Sequence, residues 1–94
     1  MFAVTGELQS ESESDAEAVK DVANTLSELN PEWGVDIAER GSSVMPLVAI
    51  SWLWESQNES ASAEQAMAIF VKVFKGINPG RAVPRIRWSS RPTK

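Results

Sequence analysis

The chain has 94 residues, a net charge of −4, and no cysteine, histidine or tyrosine. That length makes one domain with a modest two-layer core. The missing residues exclude disulfides, thiolate nucleophiles and cysteine metal sites, and they remove the commonest acid–base group and metal ligand, which argues against an enzyme.

Phe2 to Leu8, FAVTGEL, alternates. Phe2, Val4 and Leu8 share one face, and Ala3, Thr5 and Glu7 the other, as in a half-buried strand. Gln9 to Asp15 is a polar serine and glutamate linker, also open to phosphorylation, that runs into a helix start. Ser14-Asp15-Ala16-Glu17 fits a capping box, and its acids suit the positive end of the helix dipole. The helix runs to about Leu29, with Val19, Val22, Ala23, Leu26 and Leu29 in one apolar stripe. Asn30-Pro31 stops it, because a residue before proline is pushed out of the α region.

Trp33 to Arg40 alternates again, with Trp33, Val35 and Ile37 opposite Gly34, Asp36, Ala38 and Arg40. Gly41-Ser42-Ser43 is a turn. Val44 to Glu55, VMPLVAISWLWE, is the longest apolar run and holds two of the four tryptophans. It falls short of the roughly 20 residues of a membrane span, so a buried central strand is predicted, paired with its predecessor as a hairpin.

Ser56 to Ser62 is a second polar linker, and Ser60 or Ser62 can cap the next helix, with Gln65 three residues beyond Ser62. That helix spans about Ala61 to Lys75. Ala63, Ala66, Met67, Phe70, Val73 and Phe74 mark its buried stripe, which Ile69 and Val71 widen. Lys72 and Lys75 suit the negative end of the dipole, and Gly76 can supply a left-handed cap. After the turn Asn78-Pro79-Gly80, Val83 to Ser89 reads as a final strand, and Pro84 marks it as an edge. Residues 90–94 form a short basic tail, expected to fray.

Strand, helix, strand, strand, helix, strand is the split βαβ order called ferredoxin-like, an α+β fold with two helices on one face of a four-stranded antiparallel sheet. Right-handed crossovers place the first strand between the third and fourth, and the second at the far edge. The other sheet face is left to solvent or a partner. Candidate residues there are Glu7, Asp36, Arg40, Arg85 and Arg87. Cross-strand ion pairs such as Glu7 with Arg85 or Arg87 are the plain alternative.

The net charge conceals a division. Residues 1–64 hold all thirteen acids and two bases, a net −11, and residues 65–94 hold seven bases and no acid, a net +7. Two halves that lie together and neutralise are the simplest expectation; a partner of opposite charge is the other. The acidic stretch from Glu7 to Asp21 could also mimic a phosphate backbone, as small inhibitory proteins of phages can.

The face presented by Trp52 and Trp54 decides between two functional readings. Pointing outward beside Arg85 and Arg87, they would form an aromatic platform that resembles an RNA-recognition module. The chain departs from that pattern, because its first strand has no outward aromatic and its third lacks the basic–glycine–aromatic motif. Phe2, Val4, Trp33, Ile37, Ile86 and Trp88 need large neighbours, so the tryptophans are expected to point inward.

The leading expectation is therefore a non-catalytic protein-interaction or regulatory domain, viral or accessory in kind, that works through its sheet face or as a homodimer. Nucleic-acid contact through Arg81, Arg85, Arg87, Arg91 and Lys94 is the alternative. A small α+β barrel enzyme built only from Asp, Glu, Arg and Trp is a third. No cofactor or metal motif is present: Gly76-x-x-x-Gly80 is broken by Pro79 and lacks the lysine of a phosphate loop. No basic and apolar leader opens the sequence, so a cytoplasmic protein without a membrane association is expected.

Overall fold

The computed structural model describes residues 1–39 and 48–93. The chain runs β1 (Phe2–Leu8), α1 (Glu13–Leu29), a 3₁₀ turn (Pro31–Trp33), β2 (Asp36–Glu39), β3 (Val48–Trp54), α2 (Glu59–Ile77) and β4 (Ile86–Pro92). The four strands form one antiparallel sheet in the order β2-β3-β1-β4. This is the ferredoxin-like arrangement, with the strand order that right-handed crossovers require. No helix among the described residues is long and apolar enough to cross a membrane.

The core lies between the helices and one sheet face. Val4 and Leu8 of β1, with Val48, Ile50 and Trp52 of β3, are buried against Val19, Val22 and Leu26 of α1 and against Ala66, Phe70 and Phe74 of α2. Trp52 is only 2 % exposed, and Trp54 packs against the same core. Both tryptophans therefore point inward, and the outward platform is not formed. All four tryptophans join one cluster. Trp33 stacks on Trp52 at 5.8 Å, while Trp54 and Trp88 each meet Trp52 edge-on at 5.7 Å. Phe70 extends it from α2 to Trp88 at 5.5 Å. Such aromatic pairs add to the area they bury.

Gly6 makes room for this cluster. It lies opposite Trp88 in the ladder, and a Cβ there would sit 2.6 Å from the Trp88 ring. The bare backbone is what lets the indole lie across β1.

Several boundaries differ from expectation, each for a local reason. Helix α1 starts two residues early, because Ser12 and not Ser14 caps it, accepting from the Asp15 amide at 3.3 Å. The Ser14 hydroxyl instead accepts from Arg81. Helix α2 is capped by Asn58, which accepts from the Ala61 amide at 2.9 Å. It continues through Gly76 and ends at Asn78, ahead of Pro79, so the proline and not the glycine stops it. Leu29 and Met67, assigned to the buried stripes, are 66 % and 49 % exposed, since each lies at the rim of its helix's inner face.

Trp33 belongs to the 3₁₀ turn and not to a strand. Pro31 opens that turn, and Gly34 closes it with a left-handed φ of 63°. Strand β2 is thereby cut to four residues. Strand β4 lies three residues later than expected, at Ile86–Pro92, because its pairing follows β1 from Leu8 back to Phe2. The tail expected to fray is largely strand, and the Thr93 amide donates to the Met1 carbonyl at 2.9 Å. The expected turn at 41–43 and the start of the central strand at 44–47 lie outside the described residues.

Candidate functional site: the uncovered sheet face

Alternation along each strand sends every second side chain away from the helices. The pairing register arranges these outward residues in three rows. The first is Leu53, Ala3 and Arg91; the second is Asp36, Ser51, Thr5 and Ser89; the third is Ala38, Ala49, Glu7 and Arg87. The two middle strands thus present Ala3, Thr5, Ala49 and Ser51, with Leu53 and Glu7 towards opposite ends. Leu53, at 43 % exposure, is the one large apolar side chain on the face among the described residues. A shallow depression of about 300 Å³ lies between β1 and β4, lined by Ala3, Thr5, Glu7, Ser89, Ser90 and Arg91.

Charge runs across the rows. Asp36 stands on the β2 edge, and its carboxylate also accepts from the Ile37 amide at 3.0 Å. Arg87 and Arg91 stand on the β4 edge, exposed. Three strand spacings, about 14 Å, separate the two edges. Glu7 and Arg87 are direct cross-strand neighbours. The ion pairs among the described residues are elsewhere: Lys20 with Glu17 and Glu39, and Arg81 with Asp15. The expected pairing of Glu7 with Arg85 or Arg87 is therefore a neighbourhood and not a bonded pair.

The candidate residues do not form one site. Glu7, Asp36, Arg87 and Arg91 share the uncovered face. Arg85 precedes β4, is exposed, and its carbonyl accepts from the Gln9 amide at 2.9 Å. Arg81 lies at the start of α1, donating to Ser14 and Asp15 at 2.8 Å each. Arg40 and Lys94 lie outside the described residues. Arg91, placed in a tail by the sequence, is the residue whose position changes most: the later register of β4 brings it onto the face opposite Ala3.

Neutralisation between the two halves is local. Among the described residues the one ion pair that joins them is Arg81–Asp15. The Arg81 guanidinium, helped by the Ser10 hydroxyl, holds the Asp15 carboxyl below its ordinary range. Lys20 is held above the usual lysine range by hydrogen bonds to Glu39 and Glu17, and it pins α1 to β2. Acidic α1 packs over β3 and β2, and α2, which carries two acids and two bases, packs over β4 and β1.

On the helix side, the Trp54 indole donates to the fully buried Ser62 hydroxyl at 2.8 Å. This bond fixes the end of β3 to the start of α2. The sequence offered Ser62 as a cap; the earlier cap at Asn58 turns it inward instead. An apolar groove of about 390 Å³ runs beside it, between Trp54 and Gln65, Ala68, Ile69 and Lys72. Among the described residues no group of three or more acidic side chains is placed to hold a metal ion. No protein-family model matches the chain, and no curated protein matches it.

Proposed function

We propose that this protein is a non-catalytic protein-interaction domain, regulatory or accessory in kind, whose uncovered sheet face is its protein-binding surface. One observation carries the reading: the central row of the face is made of the small side chains Ser51, Thr5 and Ser89, with Asp36 on the β2 edge and Arg87 and Arg91 on the β4 edge. A surface of that shape admits a second backbone or sheet at close range, and its charges orient what arrives. The opposite face supports the same reading, because its space is filled by Trp52, Phe70, Phe74 and their neighbours.

The test is photo-crosslinking in cells that produce the protein. A benzophenone amino acid at Ser51, at the centre of the face, is expected to give a discrete protein adduct. The same group at Glu64, exposed on α2, is expected to give none. Adducts from Glu64 alone, or from neither position, would overturn the reading. So would tight binding of the purified protein to a single- or double-stranded oligonucleotide that weakens steeply with salt, since that marks phosphate contacts by Arg85, Arg87 and Arg91.

A further inference from the structure

We infer that the partner of the uncovered face is a second copy of this chain, packed sheet on sheet about a two-fold axis that runs along the strands between β3 and β1. The inference rests on the reading of that face as the binding surface. Its geometry follows from the three rows. A two-fold axis along the strands lays each row over itself in reverse order. Leu53 of one copy then stands over Ala3 of the other, and Ser51 over Thr5. Asp36 stands over Ser89, between Arg87 and Arg91. Each copy does to the other what is done to it, as an isologous interface requires.

Shape and charge agree on this axis. The one large apolar side chain on the face among the described residues, Leu53, is brought to the depression of about 300 Å³ that Ala3, Thr5, Ser89 and Arg91 line. The carboxylate of Asp36 is brought to two guanidinium groups. A two-fold axis across the strands does the opposite, laying β2 over β2 and β4 over β4, so that arginine meets arginine. Antiparallel pairing of two β4 edges, another route to a symmetric dimer, also brings the arginines of the two copies together. Like charges placed together at an interface disfavour both alternatives.

The size of the face limits the strength. Three strands of seven residues and one of four present a face roughly 19 Å wide and at most about 23 Å long, or about 400 Å² per copy. A stable standard interface buries about 800 Å² per partner, so this face is small for one and the dimer is expected to be weak and concentration-dependent.

The experiment is sedimentation equilibrium of the full chain from about 10 μM to about 1 mM, a range that spans weak association. The weight-average mass is expected to climb from monomer towards dimer. Leu53→Arg, an exposed position, is expected to hold it at monomer. Asp36→Arg alone, or Arg87→Glu with Arg91→Glu, is expected to weaken association about tenfold or more. The three changes combined restore the complementary charges and are expected to return most of that loss. Circular dichroism of each variant confirms that the fold is kept.

A monomer throughout overturns the inference. Association that ignores Leu53→Arg and the charge exchanges overturns it too, and puts the contact elsewhere on the molecule. If the protein stays monomeric while Ser51 crosslinks to a different protein, the second copy is wrong and the interaction face stands. If it stays monomeric and Ser51 gives no adduct, both fall.

Discussion

The helix-facing and uncovered sides of this sheet are built from alternate residues of the same four strands, yet they have almost nothing in common. One carries Val4, Leu8, Ile50, Trp52 and Trp88, closed over by two helices. The other carries Ala3, Thr5, Ala49, Ser51 and Ser89, closed over by no helix or strand among the described residues. A strand's period of two lets one segment serve a core and a surface at once. Burial of large side chains concentrates stability on one side, and the other side is then free to be shaped for contact. The contrast predicts that substitutions on the inner face cost stability, while those on the outer face cost association.

Trp52→Ala should have the largest effect. It removes the ring at the centre of the tryptophan cluster, and a loss of about 3–5 kcal/mol is expected in denaturant unfolding. A loss under about 1 kcal/mol would mean that the inner face is not the source of stability. Gly6→Ala comes next. Its methyl group would collide with the Trp88 ring, and overpacking of this kind costs about 1–3 kcal/mol, here at the upper end. Its near-ultraviolet circular dichroism should change with it, because Trp88 must move.

Ser62→Ala deletes the acceptor of the Trp54 indole and leaves that donor unpaired. The expected cost is about 1–2 kcal/mol. Trp54→Phe in the same background should remove most of the difference, because the orphaned donor is then gone.

Arg81→Ala tests the contact between the two halves of the chain. The pair is partly exposed and screened, so its loss should cost under about 1 kcal/mol at neutral pH. Its signature is in the pH dependence. The Asp15 carboxyl is depressed in the folded state, so the folded protein holds fewer protons on it than the unfolded chain near pH 4. Its stabilising contribution is therefore complete above the ordinary carboxyl range and is lost as pH falls through the lower folded value. The acid limb of the wild-type stability profile should be steeper than that of Arg81→Ala. Identical limbs would show that the pair is not formed in solution.

Thr5→Arg, on the outer face, should have the smallest effect on stability, within about 0.5 kcal/mol. The same substitution should abolish self-association. A change that unfolds the protein would break the distinction between the two faces.

Much of the fold is legible in the residues themselves. The alternation of Phe2, Val4 and Leu8, the stripe from Val19 to Leu26 and the stop at Asn30-Pro31 are consequences of period and local sterics. These act between near neighbours and so leave a mark in sequence. The outward set Glu7, Asp36 and Arg87 is legible for the same reason. Arg91 and Ser62 are not. Arg91 joins the face only because β4 pairs along the whole of β1, and Ser62 turns inward only because the helix begins at Asn58.

The order of elements, the inward demand of the large side chains and the division of charge are therefore properties of the sequence alone. Tertiary structure decided which polar residue caps each helix, where β4 slides to a halt, and how the four tryptophans meet. The physical reason is distance along the chain. Gly6 and Trp88, Asp15 and Arg81, and Met1 and Thr93 each meet across most of its length. Local propensity has no means of choosing among partners so remote, and packing of the aromatic layer does.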